Sequence, residues 1–309
     1  MALLDLVLGY DCNLACDYCT ITPQMRTRAL PTAAVVAGMR RGRELGYDAV
    51  QLTGGEPTIR ADLLGLVRAA RKLGYDDVKL QTNGLVFAEA ANVTRAIDAG
   101  VTRFSVSVHT HDARHYDALV RRDGAHAAMV AALDNLIASG ATVSVDLILK
   151  TDTVPRLCDA VQWLHGRGVR DMSLWFVSLT DGNRDNLASM PRMSDAVPAM
   201  KRAFAWCGSH DVAIRSLHVP RCLLGDAAGH AFDPGAQRVM VVTPEATFEL
   251  ADSKLTPQQH VPACAGCEHE SYCPGVRPDY IERYGDEEIA HARGQQPRIA
   301  AVRALPTVG

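Results

Sequence analysis

From Leu3 to Val177, short apolar, β-branched runs alternate with amphipathic stretches of helical period, and this alternation is the strongest constraint on the fold. The runs Leu3–Leu8, Ala49–Thr53, Val78–Gln81, Phe104–Val108, Thr142–Leu149 and Ser173–Val177 read as strands. Between them, Ala33–Leu45, Leu63–Leu73, Ala88–Ala99, Ala125–Ser139 and Val154–Gly168 read as helices. Several of these end on a glycine just before the next strand, as in Leu73-Gly74-Tyr75, Ala99-Gly100-Val101 and Ser139-Gly140-Ala141. A terminating glycine followed by a strand is the mark of an αβ loop. Strands apolar on both faces and joined by helices belong to a parallel sheet with right-handed crossovers. The expected fold class is α/β, a partial (β/α)6 barrel. Chemistry in such barrels sits at the C-terminal ends of the strands.

After Val177 the pattern changes. Residues 178–193 are rich in Gly, Asn, Asp and Pro and read as a loop leaving the barrel. A helix at Asp195–Trp206, capped by Ser194, a short strand at Val212–Leu217 and a hairpin of Val239–Val242 with Thr247–Leu250 follow. The expected division is therefore a barrel at 1–180, a connecting loop and helix at 181–211, and a small cysteine-rich extension at 212–309. No internal repeat stands out beyond the βα units.

Composition excludes several classes. A net charge of −3 and a pI near 6.4 give no basic face for nucleic acid. The cluster Arg40, Arg41 and Arg43 falls on a helix and reads as a solvated face. No apolar run reaches the ~18 residues needed to span a bilayer, and no signal peptide is evident. Nine cysteines, mostly in short-spaced clusters, argue for metal in a reducing compartment rather than disulfides. The expected location is the cytoplasm.

Two cysteine sets dominate. Cys12-Asn-Leu-Ala-Cys16-Asp-Tyr-Cys19 directly follows the first strand and supplies three thiolates. Soft thiolates select zinc, Cu(I) or iron–sulfur clusters, and a 4Fe–4S cluster on three cysteines keeps one iron open. The second set is Cys264-Ala-Gly-Cys267 with Cys273 six residues on, and Cys222 is available as a fourth ligand. On spacing alone it fits an iron–sulfur cluster or structural zinc equally well, with His269 inside the loop as a further zinc ligand. Cys158 lies on an apolar helical stripe and reads as core, as does Cys207 beside Trp206. Either is also a candidate hydrogen-atom donor in a pocket. His109, His111 and His115 read as a solvated or substrate-facing loop.

Cys12, Cys16, Tyr18 and Cys19, taken with Thr53-Gly54-Gly55-Glu56-Pro57, resemble the radical S-adenosylmethionine (SAM) superfamily. The resemblance covers residues 1 to about 180. It implies a 4Fe–4S cluster on Cys12, Cys16 and Cys19, with SAM chelating the open iron and cleaved to a 5′-deoxyadenosyl radical that abstracts a substrate hydrogen. It further implies SAM contacts from Tyr18, Gly54, Gly55, Glu56, Asn83 and Ser107, with Glu56 accepting from the SAM ammonium. Thr82-Asn83-Gly84 also reads as a plain turn, and Ser107 as a buried strand serine. The hairpin and second cysteine set resemble a SPASM or shorter twitch extension, which implies one auxiliary 4Fe–4S cluster on Cys222, Cys264, Cys267 and Cys273.

These readings lead to an enzyme that modifies a ribosomally made peptide by cross-linking, thioether formation, epimerisation or oxidation. The alternative is a small-molecule radical dehydrogenase or cyclase in natural-product or cofactor biosynthesis. No N-terminal leader-recognition domain is expected, because the first cluster ligand comes at residue 12. An external electron donor such as flavodoxin or ferredoxin is the expected partner. A non-catalytic iron–sulfur carrier leaves Gly54-Gly55-Glu56 unexplained.

Overall fold

The structure is a computed structural model that describes residues 2–250 and 259–295. Seven parallel strands run in sequence order: β1 (Leu3–Val7), β2 (Ala49–Thr53), β3 (Asp77–Thr82), β4 (Arg103–Ser107), β5 (Thr142–Leu149), β6 (Asp171–Phe176) and β7 (Ala213–Leu217). The helices between them are α1 (Thr32–Glu44), α2 (Leu63–Lys72), α3 (Ala90–Ala99), α4 (Ala113–Val120), α5 (Ala125–Ala138), α6 (Leu157–Gly166) and α7 (Met193–Gly208). Leu4, Leu6, Val50, Leu52, Leu80, Phe104 and Leu174 are fully buried between sheet and helices. Each such side chain contributes roughly 1.5–3 kcal/mol by leaving water. Gly74, Gly100 and Gly140 all take positive φ, the backbone that lets each helix stop and turn into the next strand.

The sheet does not end where the sequence pattern changes. β7 continues it beyond β6, and β8 (Val239–Val242) joins the other edge parallel to β1, with β9 (Thr247–Glu249) antiparallel outside it. The expected extension at 212–309 thus shares its strands with the barrel sheet; residues 251–258 and 296–309 of that range lie outside the described residues. Three further helices follow β7 in the chain: α8 (Arg221–Leu224), α9 (Pro278–Tyr284) and α10 (Glu287–Gln295).

Three sequence expectations change. The 178–193 segment does not leave the barrel: Gly182 N–H donates to Thr20 O at 2.8 Å and Asn186 Nδ2 to Asp17 O at 2.9 Å, which holds it against the first cysteine loop. Ser194 is not a cap, since α7 starts at Met193 and the Ser194 hydroxyl donates to Glu288 on α10. α4 went unread, because its eight residues are short and carry polar His115 and Asp117. Asp112 caps α4 by accepting from His115 N–H at 2.9 Å. Among the described residues no helix is long and apolar enough to cross a membrane.

Candidate active site

The loop that carries the first cysteines is held by main-chain contacts rather than by regular structure. Gly55 N–H donates to Gly9 O and Glu56 N–H to Asp11 O, both at 2.8 Å. Asp17 N–H donates to Leu119 O at 2.9 Å at the end of α4. The Arg26 guanidinium reaches Cys12 O at 2.9 Å and Leu14 O at 2.7 Å. The Lys150 ammonium pairs with Asp17 at 2.7 Å.

The glycine pair explains how the loop docks. A Cβ on Gly54 would lie 2.2 Å from Gly9 O, and one on Gly55 2.1 Å from Asp11 O. Any side chain there would drive the loop off β2. The pair therefore serves close backbone packing, a role beside the ligand approach expected from sequence.

Cys12, Cys16 and Cys19 line one cleft of about 650 Å3 with Tyr18, Gly54, Gly55, Asn83 and Ser107. The structure thus brings together most of the residues singled out from sequence. Glu56 is the exception. It is buried, and its carboxylate accepts from Thr58 N at 3.0 Å, Thr58 Oγ1 at 2.6 Å, Thr82 Oγ1 at 2.7 Å and Asn83 N at 2.7 Å. Three of these donors meet Oε1 and only Asn83 N–H meets Oε2, so Oε2 keeps a site for a further donor such as an ammonium. Asn83 Nδ2 in turn donates to Asn13 Oδ1 at 2.7 Å, inside the cysteine loop.

Burial pushes the Cys16 thiol up to about 12, with Cys19 and Cys12 nearby adding to the rise. Burial also raises Cys12. Ionising these thiols together requires a cationic partner, which is what iron ligation supplies. In donor type, number and common cleft, the residues fit a cluster with one open iron.

The cleft shares Tyr18, Cys19, Gly54, Gln81, Ser107 and His109 with a second cavity of about 1560 Å3, which reaches Asp146, Trp175, His218 and Arg277. Asp146 accepts from Ser105 Oγ at 2.8 Å, Trp175 Nε1 at 3.1 Å and Gln81 Nε2 at 3.4 Å. His218, at the end of β7, holds a left-handed φ of 73° and is pushed down to about 4 by burial and then by Arg277, which keeps it neutral. Arg277 is buried; its guanidinium donates to Phe176 O at 3.2 Å and Ser178 Oγ at 2.6 Å and pairs with Asp279. None of these four was singled out from sequence. Asp146 carried a signal, as a lone charge inside the apolar run Thr142–Leu149; Arg277 carried none.

Cys158 and Cys207 do not reach either cavity. The Cys158 thiol faces Ala199 O of α7 at 3.6 Å, and Cys207 is buried on α7. Both pack in the outer helical layer, so the hydrogen-donor reading is withdrawn and the core reading stands. Of the two readings of the histidine loop, solvated or substrate-facing, His109 follows the second: it is buried, lines the larger cavity and is bonded to Tyr18 at 2.5 Å, while His115 pairs with Asp152 at 3.0 Å.

The second cysteine set also converges. Cys222, Cys264, Cys267 and Cys273 line one pocket of about 340 Å3, with His260, His269 and Glu270. Burial, then the charges of Cys273, Cys267 and Cys264, pushes Cys222 up to about 12. His269 Nδ1 is engaged by the Tyr272 hydroxyl at 2.5 Å. A cubane spreads its four thiolates over four irons.

The chain belongs to the radical SAM superfamily: that family model matches residues 6–164, just over half of its 309 residues. Among curated relatives, it is 32% identical over 209 residues to GTP 3′,8-cyclase of Caulobacter vibrioides, covering 60% of this chain and 58% of that protein. It is 29% identical over 172 residues to molybdenum cofactor biosynthesis protein 1 of Drosophila melanogaster, covering 54% of this chain and 30% of that protein. The chain spans about half the length of the curated relatives it matches. A solved structure described as native anSMEcpe with bound AdoMet and Kp18Cys peptide superposes with a TM-score of 0.65 at 13% identity, over 95% of this chain and 99% of that one. At that identity the likeness shows the fold.

Proposed function

We propose that this radical SAM enzyme acts on a small molecule, in cyclisation or dehydrogenation of the kind used in cofactor or natural-product biosynthesis. When bound, a 4Fe–4S cluster with SAM on its open iron supplies one-electron cleavage of SAM and a 5′-deoxyadenosyl radical. Cys12, Cys16 and Cys19 would hold that cluster, and Gly54, Gly55, Asn83, Ser107 and Tyr18 would line the SAM position. Glu56 would fix Thr58, Thr82 and Asn83 at the edge of the cleft, with Oε2 left a site for the SAM ammonium. The observation that carries the proposal is that the three-thiol cleft and the cavity lined by Asp146 and Trp175 share Tyr18, Cys19, Gly54 and Ser107. A substrate seated there lies next to the site where the radical would form, with water limited by the buried walls.

The curated relatives are named for chemistry on small molecules, which supports this reading ahead of the ribosomal-peptide one. GTP itself suits the cavity poorly. Among the described residues lining it, Arg277 is the cation and is paired with Asp279, whereas Asp146 and Asp181 add carboxylates. A triphosphate calls for several unpaired cations. A substrate that is neutral or cationic where it meets Asp146 fits better.

Cys222, Cys264, Cys267 and Cys273 would hold an auxiliary 4Fe–4S cluster of the twitch type, and a flavodoxin- or ferredoxin-like donor would deliver the electron. Nine free cysteines suit the cytoplasm. The test is SAM cleavage by anaerobically reconstituted protein with deuterated low-molecular-weight extract, deuterated peptide extract, or GTP. Deuterium in 5′-deoxyadenosine from the low-molecular-weight fraction alone is the expected result. Transfer from peptides alone would overturn the small-molecule reading, and transfer from GTP would overturn the charge argument.

A further inference from the structure

Asp146 stands on β5 in the wall of the larger cavity and is only 8% exposed. Its Oδ2 accepts from Ser105 Oγ at 2.8 Å and Gln81 Nε2 at 3.4 Å, and its Oδ1 accepts from Trp175 Nε1 at 3.1 Å. The sense of these bonds is fixed. An indole N–H only donates. The Gln81 carbonyl oxygen is taken by Gln51 Nε2 at 3.1 Å and Thr53 Oγ1 at 3.2 Å, which leaves its NH2 to face Asp146. With two bonds on Oδ2 and one on Oδ1, the carboxylate keeps an acceptor site on Oδ1.

The charge of this carboxylate has no counterpart in the wall. Its three partners are uncharged. Among the described residues that line the cavity, the one Arg or Lys is Arg277, which pairs with Asp279. The lining histidines, His109 and His218, are both kept neutral by burial. A buried carboxylate is costly unless a positive group meets it. The Trp175 ring, half-buried in the same wall, stands beside it, and aromatic rings attract cations within about 6 Å. Gln81 lines the three-thiol cleft as well, so a group held at Asp146 is one side chain away from that cleft.

We propose that Asp146 anchors a primary or secondary ammonium group of the substrate, with the Trp175 ring beside it, so that the small molecule is an amine. The inference deepens the small-molecule reading above and rests on it. The ammonium donates to the remaining site on Oδ1 and supplies the charge that the wall lacks. A phosphate or carboxylate in its place would meet like charge.

The test gives the reconstituted full-length protein the deuterated low-molecular-weight extract before and after treatment of that extract with acetic anhydride in aqueous bicarbonate. The treatment turns primary and secondary amines into uncharged amides. Deuterium in 5′-deoxyadenosine should fall to background once the extract is acetylated. Undiminished transfer would overturn the inference and leave the small-molecule reading standing; transfer from the peptide extract alone would overturn both. Asp146→Asn keeps the size of the side chain and removes its charge, and should cut transfer from the untreated extract by roughly 30-fold or more. Parental transfer in this variant would overturn the inference. Equilibrium dialysis of the untreated extract gives a readout without turnover, with mass spectrometry of the molecules retained by the parent and not by Asp146→Asn. Those molecules should be ones that acetic anhydride modifies, and a retained set that it leaves unmodified would overturn the inference. Should Asp146→Asn fail to fold, the acetylated extract with the parent protein decides.

Discussion

Cys16 and Cys222 are desolvated alike, both pushed to about 12 by burial, yet their surroundings hold them in different ways. The loop of Cys16 is tied by main-chain hydrogen bonds to β2 and α4 and to the 180–186 segment, three separate parts of the chain. Around the second set the contacts are mostly local turns, such as Cys267 N–H to Cys264 O at 2.9 Å and Cys273 N–H to His269 O at 2.7 Å. Longer ties among the described residues are the bridge between Gln259 and Val276 and the Arg293 guanidinium of α10, which donates to Ala263 O at 3.1 Å and Gly266 O at 3.3 Å. The contrast separates two things that spacing merges. Close cysteines announce ligands, whereas the rigidity of the site comes from what the intervening backbone is fastened to.

The largest test of this contrast is Gly55→Ala. Its new Cβ would meet the Asp11 and Tyr10 carbonyl oxygens at 2.1 and 2.5 Å, and neither backbone atom can yield cheaply. The expected cost is about 3 kcal/mol or more by chemical denaturation, with loss of the SAM-sensitive iron. A parental unfolding midpoint would show that the loop is not docked through this glycine. Next comes Glu56→Gln, which sets an amide NH2 against some of the four donors of the present carboxylate. It should lower stability by about 2–3 kcal/mol in the same experiment and weaken SAM binding as well. Unchanged stability with lost SAM binding would instead make Glu56 a SAM contact alone.

Asp5 tests the strand beneath the first set. It lies on β1 beside Gln51, and burial raises its carboxyl to about 6. The folded state therefore keeps a proton that the unfolded state gives up near its ordinary value of about 3.9. The associated stability is fully present below about pH 4 and is lost as pH rises through 6, roughly 2–3 kcal/mol in total. Asp5→Asn should remove that slope, read from denaturation curves at pH 4, 5 and 7; a slope equal to the parent's would acquit Asp5. The smallest effect belongs to Gly266→Ala in the second loop, where φ is 69° and nothing lies within 4 Å of the added Cβ. Only backbone strain of about 1 kcal/mol is expected, with iron content unchanged. A loss as large as that of Gly55→Ala would erase the distinction between the two regions.

The parallel sheet was legible because strands buried on both faces leave long apolar runs. Ala49–Thr53 and Thr142–Leu149 match to the residue. The cysteine groups at 12–19 and 264–273 were legible because their spacing is local. Outside the cysteine and glycine motifs, what escaped were contacts whose partner lies far along the chain. Nothing near Arg277 in sequence points to Phe176 O, which it reaches across 101 residues. The strand β8 read correctly as half of a hairpin, yet its place against β1 depends on a pairing that periodicity does not encode. Glu56 was recognisable from its motif, but its partners Thr82 and Asn83 sit on the next strand end, so its engagement by the protein itself was invisible. His109 read as a loop histidine for the same reason: Ile148 and Tyr18 come from other βα units.

The central proposal is that the first cysteine set initiates the radical chemistry and that SAM cleavage does not need Cys222. The direct measurement is 5′-deoxyadenosine release from SAM, under dithionite, by two variants whose iron content is known. The reconstituted parent should carry about eight irons per chain, by four for each of two clusters. Replacing Cys12, Cys16 and Cys19 together by alanine should remove about half of that iron and all 5′-deoxyadenosine. Cys222→Ala should alter the remaining cluster signal and still release 5′-deoxyadenosine at the parental rate. Release by the triple variant, or its loss in Cys222→Ala with the SAM-sensitive cluster intact, would contradict the assignment.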